Sequence, residues 1–129
     1  MELGAFSVSL SVKDLVVSQR FYEALGFEQV SGVAEEGWVV LRNGTTVIGL
    51  FQDMFKGNML TFNPGWLRGG EALDTFTDIR EIQAQLRAEG IEPEERLDEG
   101  DIGPAYMTLV DPDGNKIFID QHVPAPSRD

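Results

Sequence analysis

The chain contains a single histidine, His122, and histidine is the side chain whose ordinary pKa suits proton transfer near neutral pH. A general base also needs a partner that orients its ring and a substrate proton within hydrogen-bond reach. His122 directly follows the last predicted strand, so an exposed structural position is the alternative interpretation. The sequence marks His122 as a candidate catalytic residue and names no acidic partner for it.

Several kinds of site are excluded by residues that the chain lacks. It has no cysteine, which excludes disulfides, thiolate metal sites and a cysteine nucleophile. Its serines and its histidine form no nucleophile motif, and its glycine-rich spots match no phosphate-binding loop. A site in this chain must be built from carboxylates, hydroxyls, aromatic rings and one imidazole.

The net charge of −12 limits the partners of the protein. Such a surface repels nucleic acid phosphates and anionic membranes, so neither is an expected partner. The charge serves solubility, and it could also favour a cationic ligand. The chain starts without a basic segment followed by an apolar run, and no stretch is apolar over the length of a membrane span. We therefore expect a cytoplasmic protein.

The elements that must position a site can be read from periodicity and caps. Alternating residues predict a first strand in which Phe6, Val8, Leu10 and Val12 face a helix, with serines on the other face. Further strands are predicted at about 27–32, 37–42, 45–52, 71–77, 91–97, 104–110 and 116–121. The turns Asn43-Gly44 and 111–115 join two pairs of them.

Two helices are predicted, each beginning after an aspartate cap and ending at a glycine. The first has the apolar line Val17, Phe21, Ala24 and Leu25, and the second has Ile79, Ile82 and Leu86.

The two predicted helices belong to an internal repeat. Asp14 and Asp78 lie 64 positions apart, and the distance from Asp14 to Gly26 equals that from Asp78 to Gly90. The element order is βαβββ, twice, in a single domain of 129 residues. The first module covers about 4–52, an irregular linker about 53–70, and the second module about 71–122. A chain of two related modules often places its site between them.

This pattern resembles the vicinal oxygen chelate superfamily, which includes glyoxalase I, extradiol dioxygenases, fosfomycin resistance proteins and bleomycin resistance proteins. The resemblance covers about 4–122 and rests on residues 9–14 (SLSVKD), 21–27 (FYEALGF), 78–90 and 111–114 (DPDG). It implies an α+β fold in which two βαβββ modules form an eight-stranded, incompletely closed, barrel-like cavity. It also implies a homodimer. It does not specify a reaction, because one fold hosts many functions.

Metal-dependent members of the superfamily bind a divalent ion through four strand positions. Counted from the aspartate caps and hairpin turns, the resemblance places these positions on Ser7, Gly49, Glu71 and Phe118. Glycine and phenylalanine offer no side-chain donor, whereas a catalytic metal needs about three protein ligands. A register error of one residue would not restore the set, because the neighbouring residues are also non-ligands. The expectation is that neither metal nor another cofactor is bound.

The same resemblance assigns residues to the wall of the cavity. The predicted ligand-binding residues are Ser7, Ser9, Trp38, Gly49, Phe51, Trp66, Glu71, Tyr106, Phe118 and Asp120. Aromatic walls with a few polar anchors are typical of small-molecule sites, although such residues are also common in cores. Glu71 could pair with Arg42 or Arg68, contact a cationic ligand, or act as a catalytic base. Gln52 and Gln121 occupy matching places and could bind a ligand or end their strands.

Two functions remain open at this point. The first is a small-molecule-binding protein of the bleomycin resistance type, which sequesters a partly apolar or cationic compound without a metal. The second is a lyase, isomerase or dioxygenase of the superfamily. Such an enzyme would use an atypical metal set, such as Glu71, Asp120 and His122, or a metal-free base.

Overall fold

The computed structural model describes residues 1–67 and 70–126. Its chain divides into two compact units. The N-terminal unit is Ser7–Met59, and the C-terminal unit combines Met1–Phe6 with Leu60–Asp129. The chain therefore passes from one unit to the other near residues 6 and 59, within strands. No helix in the described part of the chain is long and apolar enough to cross a membrane.

The N-terminal unit is a sheet with one helix. Its strands are β1 (Ala5–Val12), β2 (Glu28–Val33), β3 (Trp38–Asn43) and β4 (Thr46–Gln52), and its helix is α1 (Leu15–Ala24). The strand order is β2-β3-β4-β1, with β1 parallel to β4 and the other pairs antiparallel. The strands predicted for this region are confirmed to within a residue or two. The core cluster joins Leu15 to Val39, Leu41, Ile48 and Leu50.

The C-terminal unit also packs one helix on a sheet, with three strands in the larger sheet and a separate two-stranded pair. Its strands are β5 (Met59–Asn63), β6 (Trp66–Leu67), β7 (Glu71–Ala72), β8 (Ala105–Val110) and β9 (Lys116–Gln121), and its helix is α2 (Ile79–Ala88). The sheet order is β5-β9-β8, and β6 pairs only with β7. Ile79 and Ile82 of α2 pack on Met107, Leu109 and Ile119, as the apolar line of this helix predicts.

Both helices start and stop where the sequence predicts. The Asp14 carboxylate accepts a hydrogen bond from the Val17 N–H at 3.2 Å, and that of Asp78 accepts one from the Arg80 N–H at 3.1 Å. Gly26 and Gly90 follow the helices with φ of +100° and +82°, a conformation that glycine adopts without strain. The second cap is reinforced, because the Arg80 guanidinium binds the Asp78 carboxylate at 2.9 Å.

The prediction for the buried face of α1 is wrong. Val17, Phe21 and Leu25 are 62%, 61% and 58% exposed, whereas Leu15 is only 2% exposed. The Leu15 N–H donates to Gln52 Oε1 at 2.8 Å, and this bond fixes the start of the helix with Leu15 against the sheet. Val17, Phe21 and Leu25 therefore face away from the core.

The strand predicted at 91–97 is absent from the structure. The Gln83 side chain, only 1% exposed, accepts from the Leu97 N–H at 2.7 Å and donates to the Leu97 carbonyl at 3.1 Å. The Glu94 N–H donates to the Thr108 carbonyl at 2.9 Å. Pro93, which has no N–H, interrupts any ladder beside β8. The segment is thus held by a side-chain amide instead of a strand pairing.

The region predicted as an irregular linker, 53–70, contains β5 and β6. The strand predicted at 71–77 is reduced to Glu71–Ala72, which pairs with β6 outside the larger sheet. The strand that precedes α2 in the sheet is instead β5. The 64-residue shift therefore locates α2 correctly but misplaces the strand in front of it, because residues 64–77 are inserted between β5 and α2.

Candidate functional site

In each unit, the predicted site residues on strands of the larger sheet lie on the face opposite the helix. Strand residues alternate between faces, and the residues that pack toward the helices are those of the two core clusters. The other face of the N-terminal unit carries Ser7, Ser9, Trp38, Gly49 and Phe51. The other face of the C-terminal unit carries Tyr106, Phe118 and Asp120. The alternation on which the prediction depended is confirmed.

Aromatic rings cover part of this face in the N-terminal unit. Trp38 and Phe51 are directly opposite each other on β3 and β4, with nearly parallel rings 6.5 Å apart. Phe55 lies 5.1 Å from Phe51, with the rings tilted by 49°. We call Trp38, Gly49, Phe51 and Phe55 the aromatic platform.

Gly49 allows the Phe51 ring to lie over β4. A Cβ atom at Gly49 would lie 2.6 Å from Cε2 of Phe51, so no larger residue fits without moving the ring. Ser9 pairs with Gly49 in the sheet and is only 4% exposed. Ser7 is half-buried on the same strand. The space beside Gly49, where the resemblance predicts a metal-ligand position, is thus filled here by the phenyl ring of Phe51.

A second group of side chains surrounds the only histidine. The Trp66 indole stacks on the His122 imidazole, with ring centroids 4.4 Å apart and planes 1° from parallel. His122 Nε2 lies 2.9 Å from Oδ2 of Asp120, and these side chains are 46% and 23% exposed. We call Trp66, Asp120 and His122 the His122 cluster.

Asp120 changes the protonation of His122. Its hydrogen bond raises the pKa of His122 above the ordinary value of 6.5, against the partial burial that lowers it. The backbone carbonyl of Asp120 accepts a hydrogen bond from Asn63 Nδ2 at 2.8 Å, which ties this end of β9 to β5. The Asn63 amide therefore helps to fix the end of β9, the strand that carries the Asp120 carboxylate.

Tyr106 and Phe118 extend this face along β8 and β9. Tyr106 is directly opposite Asp120 in the strand pairing, and its ring lies 5.6 Å from that of Phe118. Tyr106 is 62% exposed. Five predicted residues therefore lie near one another in the C-terminal unit: Trp66, Tyr106, Phe118, Asp120 and His122.

Glu71 lies on β7, where it pairs with Leu67, and it is exposed. Of its two predicted ion-pair partners, Arg68 lies outside the described residues, and no ion pair joins Glu71 to any described cation, Arg42 included. Its role in a site stays a prediction.

The described residues do not fit a divalent metal centre. Within 1–67 and 70–126, no three His, Cys, Asp or Glu side chains come together in a group that could hold an ion. The atypical set of Glu71, Asp120 and His122 is included in that result. Asp120 and His122 alone supply two donors, fewer than catalytic metals require.

Gln52 and Gln121 hold the helix starts. Gln121 Oε1 accepts from the Ile79 N–H at 2.7 Å, matching the bond that Gln52 makes to Leu15. The predicted equivalence of the two glutamines is confirmed, and both side chains serve the fold. Sequence reasoning missed this use, although an N–H at the start of each helix needs an acceptor.

The sequence analysis grouped Asp120 and His122 only as possible metal ligands and missed Asp120 as the hydrogen-bond partner of His122, although a signal for it was present. The two residues are separated by one position at the end of a strand, where alternate side chains share a face. The contribution of Trp66 had no comparable signal, because it depends on where β6 is placed relative to β9.

A family model described as the Glyoxalase/Bleomycin resistance protein/Dioxygenase superfamily matches residues 4–119. This match confirms the resemblance inferred from the sequence. No match was found among curated proteins.

Several solved structures share the fold. A glyoxalase/bleomycin resistance protein/dioxygenase superfamily member from Vibrio splendidus 12B01 is 18% identical, with a TM-score of 0.59, over 90% of this chain and 97% of that one. Methylmalonyl-CoA epimerase from Streptomyces coelicolor, in complex with 2-nitronate-propionyl-CoA, is 18% identical with a TM-score of 0.59, over 97% and 100%. A structure described as NAD-dependent benzaldehyde dehydrogenase from Legionella pneumophila is 19% identical, with a TM-score of 0.65, over 91% and 98%. At these identities the likeness concerns the mixed α+β fold alone.

Proposed function

The chain belongs to the glyoxalase/bleomycin resistance protein/dioxygenase superfamily, and from this premise we propose that it binds and sequesters a small molecule without a divalent metal. The ligand is partly apolar and carries positive charge. The binding surface is the His122 cluster with the neighbouring rings of Tyr106 and Phe118. Superfamily membership alone does not choose among activities, so the proposal depends on these side chains.

The observation that carries the proposal is the combination of exposed rings with a carboxylate. Aromatic faces supply apolar area and attract cations within about 6 Å of the ring. Tyr106 is 62% exposed, and the Asp120 side chain is 23% exposed, so a ligand can reach both. A few polar anchors among aromatic residues are typical of small-molecule sites.

The net charge supports a cationic ligand in preference to an anionic one. At −12 the chain attracts cations and repels anions over its surface. For the same reason we propose that neither nucleic acid nor an anionic membrane is a partner. Cytoplasmic location and a homodimeric state belong to the same proposal. The dimer is supported by the exposed apolar side chains of α1, since clustered exposed apolar residues are typical of interaction surfaces.

The two tryptophans provide the test of the binding site, because Trp66 and Trp38 lie in different units. A Trp38→Phe variant retains Trp66 as its only indole, and a Trp66→Phe variant retains Trp38. Both are screened with cationic aromatic compounds and their neutral isosteres by thermal shift, because a ligand that binds the folded state raises the melting temperature. Hits are then titrated by tryptophan fluorescence.

We expect cationic hits to change the emission of Trp38→Phe and to bind Trp66→Phe more than tenfold more weakly. Asp120→Asn should remove the preference for the cation over its neutral isostere. If Trp66→Phe binds as tightly as the unmodified protein and responds through Trp38, the ligand occupies the aromatic platform and the assigned site is wrong. Stoichiometric Zn, Ni, Mn or Fe in the purified protein would overturn the metal-free proposal.

The enzymatic alternative is favoured by one specific observation, the hydrogen bond between Asp120 and His122. A carboxylate and an imidazole at 2.9 Å form an acid–base pair that a purely sequestering protein does not need. This arrangement supports a metal-free lyase or isomerase over a metal-dependent dioxygenase. Turnover of any ligand identified in the screen would distinguish this alternative from sequestration.

A further inference from the structure

We propose that Asn43 is a site of spontaneous deamidation, and that its conversion to aspartate or isoaspartate releases the C-terminal end of α1. The site lies at the hairpin between β3 and β4, where Asn43 directly precedes Gly44. The reaction needs only water, so it proceeds in the isolated protein. It involves neither the His122 cluster nor the aromatic platform.

The backbone at Gly44 leaves room for the reaction. Asn43 pairs with Thr46 at the end of the ladder, so Gly44 lies in the turn itself, with φ of +60°. Asn43 and Gly44 are both exposed, and a Cβ atom built at Gly44 would meet nothing within 4 Å. No side chain of its own shields the Gly44 nitrogen, and the space beside its Cα is open.

The step balances with one molecule of water. The Gly44 nitrogen attacks Cγ of Asn43 and loses its proton, while the Cγ–Nδ2 bond breaks and ammonia leaves with that proton. The product is a cyclic succinimide. Water then opens the ring at either carbonyl, which gives aspartate or, with an extra carbon in the backbone, isoaspartate.

The remaining asparagines lack this combination, and they are Asn58, Asn63 and Asn115. Asn63 precedes a proline, whose nitrogen has no hydrogen to lose. Asn58 precedes a methionine and Asn115 a lysine, and these side chains crowd the backbone nitrogen that would attack. Asn115 is the matched comparison for Asn43, because it is also exposed and its Nδ2 also donates a hydrogen bond, to Asp111 Oδ2 at 2.8 Å.

Asn43 holds the end of α1 by its side-chain amide. Its Nδ2 donates to the Leu25 carbonyl at 3.1 Å, and the last carbonyls of a helix have no partner within the helix. A Cβ atom at Gly26 would lie 3.0 Å from Nδ2 of Asn43, so the amide also packs closely on the residue that follows the helix cap. Asn43 therefore ties the end of α1 to the β3–β4 hairpin.

Either product of deamidation loses this bond. A carboxylate only accepts hydrogen bonds, so it cannot donate to the Leu25 carbonyl. The carbonyls at the C-terminus of a helix also carry partial negative charge, which repels a carboxylate. Isoaspartate adds a backbone carbon beside the turn and so displaces the pairing of Asn43 with Thr46. The end of α1 is therefore released slowly and irreversibly as the protein ages.

The reaction is followed by peptide mapping of the purified full chain. The protein is incubated at mildly alkaline pH and digested with trypsin, which cleaves after Arg42 and Lys56 and so separates Asn43 from the other asparagines. A sample digested without incubation corrects for reaction during digestion. Mass spectrometry detects replacement of the amide NH2 by OH, and chromatography separates the aspartate and isoaspartate peptides. Asn43 should react at least about tenfold faster than Asn115, because glycine has no Cβ.

A matched pair of variants tests the effect on stability. Asn43→Asp removes the donor that binds the Leu25 carbonyl. Asn58→Asp adds the same charge but keeps its hydrogen bond, because Asn58 uses Oδ1 to accept from the Ser11 N–H at 3.0 Å. Asn43→Asp should lower the urea midpoint by about 0.5 M, as expected for loss of one neutral hydrogen bond, whereas Asn58→Asp should leave it nearly unchanged.

Hydrogen exchange locates the effect along the chain. In the last turn of α1 the Gly26 N–H donates to the Glu23 carbonyl and the Phe27 N–H to the Tyr22 carbonyl. Both N–H groups should exchange about fivefold faster in Asn43→Asp and in the deamidated fraction purified by ion exchange, whereas those of α2 should keep their rates.

Equal deamidation rates at Asn43 and Asn115 would overturn the proposal. Unchanged exchange of the Gly26 and Phe27 N–H groups in the deamidated fraction would also overturn it, because the amide would then not hold the helix. Asn43→Gln forms the cyclic product far more slowly, since its longer side chain requires a larger ring. Incubated Asn43→Gln should therefore keep its urea midpoint, and a loss equal to that of the unmodified protein would reject Asn43 as the cause.

Discussion

Replacing Gln121 with alanine should lower the free energy of unfolding by about 3 kcal/mol. The side chain is 1% exposed. Its Oε1 accepts from the Ile79 N–H at 2.7 Å, and its Nε2 donates to Asp78 Oδ1 at 2.8 Å and to the Val123 carbonyl at 3.0 Å. Truncation removes all three bonds and leaves the Ile79 N–H without an acceptor beside the second core cluster.

The magnitude follows from the kind of group that each bond satisfies. A buried N–H left unpaired costs about 1–3 kcal/mol, and a hydrogen bond to an ionised carboxylate contributes about 1.5–3 kcal/mol. Local relaxation recovers part of this cost, which gives the value of about 3 kcal/mol. Gln52 is the matched control, because it makes the equivalent bond to Leu15 from a half-buried position. Gln52→Ala should cost only about 1 kcal/mol.

The assay is urea unfolding followed by circular dichroism. With a slope of about 2 kcal/mol per molar urea, Gln121→Ala should move the midpoint by about 1.5 M and Gln52→Ala by about 0.5 M. Gln121→Glu should still accept from Ile79 but places a second carboxylate beside Asp78, so its penalty should shrink as the pH falls. Equal midpoints for Gln121→Ala and Gln52→Ala would refute the reasoning that the buried glutamine anchors its helix more strongly.

Three further predictions concern other parts of the chain. His122 has a raised pKa in the folded protein, so its contribution to stability is complete below the ordinary value of 6.5 and is lost as the pH rises through the raised value. Urea midpoints at about pH 6 and pH 8 should therefore differ in the unmodified protein, and less so in Asp120→Asn. Phe21→Glu, at an exposed position of α1, should shift a dimer to the mass of one chain in light scattering. Gly49→Ala should displace the Phe51 ring, cost about 1–3 kcal/mol and change Trp38 emission in a Trp66→Phe background.

The last two predictions have direct controls. Phe21→Leu keeps the exposed apolar surface and should keep the dimer, so equal masses for the glutamate and leucine variants would contradict a role for this face. Gly103→Ala introduces a methyl group whose nearest neighbour, Asp101 Oδ1, is 4.0 Å away, and it should be almost neutral. A similar cost at Gly49 and Gly103 would show that the phenyl ring tolerates the added carbon.

The features that the sequence predicted well are those with local causes. Asp14 and Asp78 cap helices because a short carboxylate reaches the first free N–H groups of its own chain. Gly26 and Gly90 end the same helices because glycine adopts positive φ without strain. The central strands follow from alternation over a few residues. Each of these features depends on contacts within one helix or strand, so it can be predicted without knowing which other element packs against it.

The errors arose where a distant side chain overrides a local preference. The outward apolar line of α1 has good helical spacing, but the bond from Leu15 to Gln52 sets the rotation of the helix. The repeated element order predicted a strand at 91–97, but Gln83 binds the backbone of this segment at Leu97. Neither interaction partner is near in sequence, so periodicity alone could not reveal them.

The sequence by itself determined the family and the repeated helix frame. These depend on residue identity and on spacing along the chain. Only the tertiary structure decided that Trp66 stacks on His122, and that the Phe51 ring lies over Gly49. Stacking at 4.4 Å requires the rings of Trp66 and His122, which are far apart in sequence, to come together within a few ångströms. Sequence spacing cannot specify such convergence, because packing of the whole unit sets it.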